Sequence, residues 1–506
     1  MYEAGGWVLM ESAIADLPAD LRWLYESGAV TIEQLSTIHQ TLGTTSIVDL
    51  ADAVRRRAIQ TLPGLTADVD QAIADALPTL RARIPRIPLG RAVSTADPLL
   101  AQLRSTPGIE WASPAGSLRR GEDTVGDIVI VASAPEPAQA IDDLVHAPGV
   151  VRVLHRGPRR LYLLIDRVQI GLRFPVPPEA GATLLHMTGR TTHVAALRAI
   201  AEQRGHRLEP GGLFGGGGDS GRLAISEPDI YAALGLTFVA PEIRNGDGEV
   251  ERAARGTLPA LVTTADIRGD LHMHTTWSDG RDSVEAMVAA GLALGYEYVA
   301  ITDHSPTSAA SRNLTVDGVK RQAEEIARLR EQMPTITILH GCEVDILPDE
   351  RLDFSDRVLE RFDIVLASLH DRAGQPPDQL MRRYLAAMHH PLVNVITHPS
   401  NRLVPNRDGY ELDYERLFAA AVETGTVVEI DGAPSHLDLD GTLARRAMLA
   451  GAMLAVDSDS HRADMLGRQM TFGIKTARRG WVEARHVLNT RPLADIRAFI
   501  AGKRRH

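Results

Sequence analysis

Lysine is nearly absent from this sequence: only Lys320, Lys475 and Lys503 occur among 506 residues. Arginine carries the positive charge, and Asp plus Glu outnumber Lys plus Arg by 65 to 54, for a formal net charge of −11. Such a total weighs against a broad surface for strong nonspecific binding of nucleic acid, although residues 81–173 are mildly basic. Cysteine occurs once, as Cys342, so no internal disulfide can form and a cytoplasmic, reducing setting is expected. Aromatics are only 4% of the chain, which argues against a surface built mainly from stacking platforms. No apolar run reaches the roughly 18 residues a membrane span needs. No basic stretch followed by an apolar run marks a signal peptide. Nothing in the sequence sets an oligomeric state.

What is present divides into segments, and a chain of this length is expected to hold about three domains. Residues 13–85 read as helical, interrupted by the turn Leu62-Pro63-Gly64-Leu65. Residues 90–175 change to α+β, with apolar runs at Asp127–Ala132 and Arg160–Ile165 that predict strands. Residues 176–245 are mixed and contain the glycine run Gly215–Gly218, a flexible loop by composition. Residues 246–265 are polar and irregular, and are expected to be a linker. Across 266–506, short apolar strands alternate with amphipathic helical stretches such as Thr315–Met333 and Pro376–Met388. Seven such steps predict a parallel sheet closed into a barrel.

The ends of those strands carry the chemistry. The first ends in His272-Met273-His274 with Asp279 beyond it, and the second in Thr302-Asp303-His304. The third runs into Glu343, the fourth into His370, the fifth into His398 and the seventh into Asp457-Ser458-Asp459-Ser460-His461. In an α/β barrel the C-terminal strand ends converge on one mouth. His-X-His in a strand puts both rings on one face, because side chains repeat every two residues. One strand-end histidine is more often a structural hydrogen bonder, but six strand ends carrying such groups together are not accidental. Imidazole-rich sets suit Zn²⁺, Mn²⁺ or Fe²⁺. The set exceeds what one ion needs, so at least two divalent ions are expected, activating water and neutralising phosphate oxygens. Asp303 and Asp457 suit the role of orienting ligand imidazoles. His340, His389, His390, His436 and His486 lack strand-end placement and read as structural or surface residues.

These motifs, with Ser278-Asp279-Gly280, Ser368-Leu369-His370 and Thr397-His398-Pro399, resemble the full set of the PHP (polymerase and histidinol phosphatase) domain. The resemblance implies a distorted (β/α)7 TIM-like barrel with a trinuclear metal site. Its ligands map to His272, His274, Asp279, His304, Glu343, His370, His398, Asp459 and His461. It also implies hydrolysis of phosphomonoesters or phosphodiesters, with two to three divalent ions, Glu343 bridging metals, Asp303 beside them and Arg402 clamping phosphate.

Upstream, Ala115-Gly116-Ser117-Leu118-Arg119-Arg120-Gly121 precedes Gly126-Asp127. Thr188-Gly189, Gly212-Leu213-Phe214 and Tyr231-Ala232-Ala233-Leu234-Gly235-Leu236 follow. Together they resemble the palm and thumb of bacterial family X DNA polymerases, whose C-terminal PHP domain is a 3′–5′ exonuclease. The resemblance implies contact with nucleotide or DNA phosphate by Gly116, Ser117, Arg120 and Asp127. It also makes residues 13–85 a helix–hairpin–helix-like (fingers) region. The departures are specific. Two-metal polymerase chemistry needs three carboxylates. Here Gly126-Asp127-Ile128-Val129 keeps one, and Gly171 stands where a later Asp is expected. Gly64-Leu65-Thr66 lacks the second glycine of the hairpin, His186-Met187 replaces the aromatic before Thr-Gly, and the chain starts about one domain late. The expected function is a PHP phosphoesterase with exonuclease-like action on DNA ends, a polymerase-like half inactive in synthesis, and weak DNA or nucleotide binding. The alternatives are a small-molecule phosphomonoesterase and a noncatalytic DNA- or nucleotide-binding module.

Overall fold

A computed structural model describes residues 21–505, apart from 22–23, 26, 45–46, 84–85, 146–151, 166–167, 216–221, 309 and 371–374. The expected helix at residues 13–20 and the loop at 216–218 lie outside the described residues.

The first body is helical, with helices Ile32–Leu42, Ile47–Arg55 and Ala67–Arg83. Thr31 caps the first in a reciprocal pair with Gln34, and Gly43 ends it in the left-handed region at φ 60°. Gly64, at φ 76°, forms the turn before the third.

The second body is a five-stranded sheet of β1 (Trp111–Pro114), β2 (Ile128–Ser133), β3 (Arg152–Gly157), β4 (Arg160–Ile165) and β5 (Val168–Arg173). Its order is β1-β2-β5-β4-β3, and only β2 and β5 run parallel. Next come helices Pro177–Thr188 and Thr191–Gln203 with a small antiparallel sheet of β6 (His206–Glu209), β7 (Gly212–Gly215) and β8 (Arg222–Ala224).

Residues 246–265 are not an irregular linker. They carry a helix, Glu249–Arg255, whose Val250 and Ala253 join the apolar core of the preceding unit. The polarity that suggested a linker is partly buried: the Glu249 carboxylate lies 2.6 Å from His193 Nδ1.

The barrel strands are β9 (Gly269–Asp270), β10 (Tyr298–Ile301), β11 (Thr337–Asp345), β12 (Ile364–Ser368), β13 (Val395–Ile396), β14 (Val427–Asp431) and β15 (Leu454–Asp457). They pair in sequence order, all parallel. The His274 amide donates to the Ser460 carbonyl at 2.9 Å and draws the first and last strands together. Alternation splits the apolar residues into two cores. Tyr298, Ala300, Leu366 and Val427 fill the interior, while Val299, Ile301, Val365 and Val428 face the helices. The helix Leu493–Lys503 inserts Ile496 and Ile500 into the interior core and floors the barrel. That leaves the opposite end, where the strands terminate, for polar groups.

The barrel is locked to the upstream bodies. Leu437 and Phe472 are buried in the core of the five-stranded sheet, and Trp481 in that of the next unit. Asp123 bridges Arg402 at 2.5 Å and also pairs with Arg479.

Candidate metal centre

Glu343 lies at the hub of the barrel mouth with no solvent exposure. Its Oε2 is 2.8 Å from His304 Nδ1 and 3.5 Å from Nε2 of both His272 and His274. Its Oε1 is 2.8 Å from His398 Nε2 and 3.3 Å from His370 Nε2. Asp459 Oδ1 lies 3.1 Å from His274 Nε2, and Asp279 Oδ1 lies 3.2 Å from His461 Nε2. All nine strand-end residues singled out in the sequence are therefore brought together. Three subsets offer ligand atoms within 4.8 Å of one another: His274, Asp279, His304 and His461; His272, His274 and Asp459; His304, Glu343 and His370. The backbone bends to achieve this, with positive φ at His398 (26°) and Asp459 (47°), a conformation held only where surroundings enforce it.

Cations fit this donor set. His274 stacks on His304 and on His461 at ring separations of 4.2 and 4.4 Å, and its Nε2 faces His272 Nε2 at 3.1 Å. Protonated rings would repel there. Burial, with the neighbouring His304 and His461, pushes His274 down to about 3, so it stays a neutral donor. Burial opposes charge on Glu343, but His304, His370 and His272 outweigh it and hold the carboxyl well below its usual range. Burial also opposes the His461 cation, yet the Asp279 hydrogen bond and Asp459 raise it to about 9. Glu343 Oε2, Asp279 Oδ1, Asp459 Oδ1 and Nδ1 of His274, His304 and His398 are buried without hydrogen-bond partners. Of these, Glu343 Oε2, Asp279 Oδ1, Asp459 Oδ1 and His304 Nδ1 face the other groups of the cluster, where cations would satisfy them.

A second layer fixes these groups. Glu429 accepts from His272 Nδ1 at 2.6 Å through one oxygen and from the His398 amide at 2.7 Å through the other. His370 Nδ1 donates to Asp345 at 2.9 Å. Asp303 accepts from the amides and hydroxyls of Thr275 and Ser278 and from Gln322 Nε2 at 2.6 Å. It thereby shapes the loop that presents Asp279. Asp457 accepts from the Leu271 amide at 2.9 Å. Sequence reading missed Glu429, Asp345 and His436. The signal for Glu429 was Val427, Glu429 and Asp431 alternating with Val428 and Ile430, acids facing the interior of a doubly covered strand. His436 offered no signal; it stacks on His398 with ring centres 5.5 Å apart.

Arg402 sits at the edge, paired with Asp123 and, at 3.3 Å, with Asp440. These residues line a cleft of about 490 Å³ between the barrel and residues 86–124.

In the N-terminal half, Gly116 and Ser117 open a short helix, Gly116–Arg120. Arg120 is buried and bonded to the Thr188 carbonyl at 2.6 Å and to Glu122 at 2.6 Å. Asp127 lies just before β2. Two residues on, Val129 pairs with Gly171 across β2 and β5. A Cβ on Gly171 would stand 3.1 Å from Tyr162 Cε1 and 3.8 Å from an Arg173 nitrogen. The Tyr162 hydroxyl donates to Asp49 of the helical body at 2.5 Å, and Arg173 donates to the same carboxylate at 2.8 Å. A tyrosine and an arginine thus fill the space beside Gly171.

Fold and cluster define the class: a metal-dependent phosphoester hydrolase built on a PHP barrel and joined to a polymerase-β-like body. The family described as PHP domain matches residues 270–432, and the DNA polymerase beta thumb family matches residues 183–245. The chain is 33% identical over 494 residues to the DNA polymerase/3′-5′ exonuclease PolX of Bacillus subtilis, covering 97% of this chain and 86% of that one. A probable phosphatase of Thermoanaerobacter sp. is 29% identical over 47% of this chain and 95% of its own length. Another, of Caldanaerobacter subterraneus, is 30% identical over 39% of this chain and 78% of its own. The chain belongs to the PolX family of bacterial family X polymerases with a C-terminal PHP domain. Among the described residues, no helix is long and apolar enough to cross a membrane.

Proposed function

We propose that this protein is a Mn²⁺- or Zn²⁺-dependent 3′–5′ exonuclease acting on DNA ends, with a polymerase-like half that holds DNA without extending it. The convergence of nine imidazole and carboxylate groups, Glu343 among them, at the barrel mouth carries the reading. His272, His274, Asp279, His304, Glu343, His370, His398, Asp459 and His461 hold two or three ions. When bound, such ions activate water and neutralise phosphate oxygens during in-line attack.

The chain's own groups divide the work by depth. Buried Glu343, His272 and His274 fix the centre. Asp279, His370 and His461 keep side-chain exposures of 23%, 22% and 35% and form the entrance a phosphodiester would use. Asp345 and Glu429 hold imidazole tautomers so that the opposite nitrogen faces the ions. Asp303 positions the Asp279 loop rather than touching substrate. Arg402 would exchange its Asp123 partner for a substrate phosphate at the cleft.

Nucleotidyl transfer is absent on this reading, because Asp127 lacks two of the three carboxylates and Tyr162 with Arg173 takes their room. Gly116 and Ser117 remain the groups for weak DNA or nucleotide contact, with Arg120 and Asp127 supporting them from within the fold.

The test is hydrolysis of 5′-labelled single-stranded DNA with Mn²⁺, beside p-nitrophenyl phosphate, in wild type and His370→Ala. A ladder of 3′-shortened products lost in the variant supports the exonuclease. Phosphate release from the small ester alone would replace it with a phosphomonoesterase.

A further inference from the structure

The sixth barrel strand, which carries none of the nine ligands, ends in a second constellation. Asp431 follows Val427 and Glu429 on the inward face of β14 and has no solvent exposure. One carboxylate oxygen accepts from the Ala433 amide at 2.5 Å, while the other is buried without a partner. His436, on the loop that follows, donates Nδ1–H to the Arg402 carbonyl at 3.1 Å. That bond sets its tautomer and leaves the Nε2 lone pair available. Asp431, His436 and Asp459 each offer a ligand atom within 4.8 Å of the others.

We propose that Asp431, His436 and Asp459 hold a further divalent cation beside the main cluster. Two carboxylates and one imidazole form a mixed oxygen–nitrogen set that suits Mn²⁺, with Asp459 shared between this ion and the one held by His272 and His274. The charge balance favours it. Glu429, Asp431 and Asp459 are all fully or almost fully buried, and two of them already face imidazoles. One oxygen of Asp431 is buried without a hydrogen-bond partner, so a cation supplies what the surrounding side chains do not. The ion would lie on the side of the centre that faces the polymerase-like half. Leu437, adjacent to His436, is buried in the core of that half, so its packing fixes where the His436 ring stands.

This position extends the proposed metal centre, and the test separates the two. The full-length chain is stripped with chelator and titrated with Mn²⁺, with free ion read by electron paramagnetic resonance. Wild type is compared with Asp431→Asn, His436→Gln and His274→Ala, and circular dichroism of the stripped proteins confirms folding. Asp431→Asn and His436→Gln are expected each to lose the same single equivalent of Mn²⁺ and keep the others, while His274→Ala loses ions of the main cluster. If both variants bind as many equivalents as wild type with unchanged affinity, the additional position is refuted and the main centre stands. A wild type that binds no Mn²⁺ refutes both.

Discussion

Replacing Glu429 with glutamine preserves volume and shape but turns one of two acceptors into a donor. In the wild type, one oxygen receives His272 Nδ1–H at 2.6 Å and the other the His398 amide at 2.7 Å. Glutamine can serve only one of these, and its NH₂ group must oppose the other donor. A hydrogen bond to a charged group contributes about 1.5–3 kcal/mol. If the His272 bond is lost, the ring is no longer held with Nε2 toward Asp459 and His274. At about 1.4 kcal/mol per tenfold, the ion held by these residues should bind about 10- to 100-fold more weakly. The assay is competition for Mn²⁺ against a chelating dye, run beside hydrolysis of labelled DNA over a range of Mn²⁺ concentrations. Activity is expected to fall at low Mn²⁺ and recover at high Mn²⁺, since no ligand is removed. Unchanged affinity, or a loss of activity that excess metal does not rescue, would refute the orienting role.

Asp459→Ala should abolish hydrolysis at every Mn²⁺ concentration, measured with the same DNA substrate. Chelation should lower the thermal midpoint by removing ligand-linked stability of about 2.7 kcal/mol for each ion present at a hundredfold its Kd; an unchanged midpoint would mean the ions do not bind the folded state tightly. Tyr162→Phe removes the hydroxyl bonded to Asp49 and should cost about 1.5–3 kcal/mol in denaturant unfolding while leaving hydrolysis in place. Burial opposes the charge of Glu122, but Arg120 and Arg190 overcome it and lower its pKa from 4.5 to about 2. Its contribution is therefore complete above pH 4.5 and lost as pH falls toward 2, so Glu122→Gln should flatten the acid limb of melting temperature against pH.

The barrel was legible because parallel strands covered on both sides leave continuous apolar runs. β10 and β12 are such runs, buried along their whole length. The nine candidate ligands were legible because they stand at or just beyond the ends of those runs. Glu429 and Asp345 were not, since an isolated acid within an apolar strand shows its role only when the facing imidazole is known. His436 was hidden because its position depends on Leu437 entering the core of another body, a contact between residues far apart in sequence. The helix at Glu249–Arg255 was hidden for a similar reason: its buried Glu249 is satisfied by the distant His193 together with the Gly246 and Asp247 amides.

Leu437 makes the interior of the upstream half part of the barrel's own support. A side chain from the hydrolytic barrel is rooted in that half's apolar core, next to a ring stacked on a metal-centre histidine. Selection on hydrolysis therefore reaches deep into the polymerase-like body. Substitutions that soften the interior around Leu437 would be felt at the barrel mouth as well as in the body where they occur.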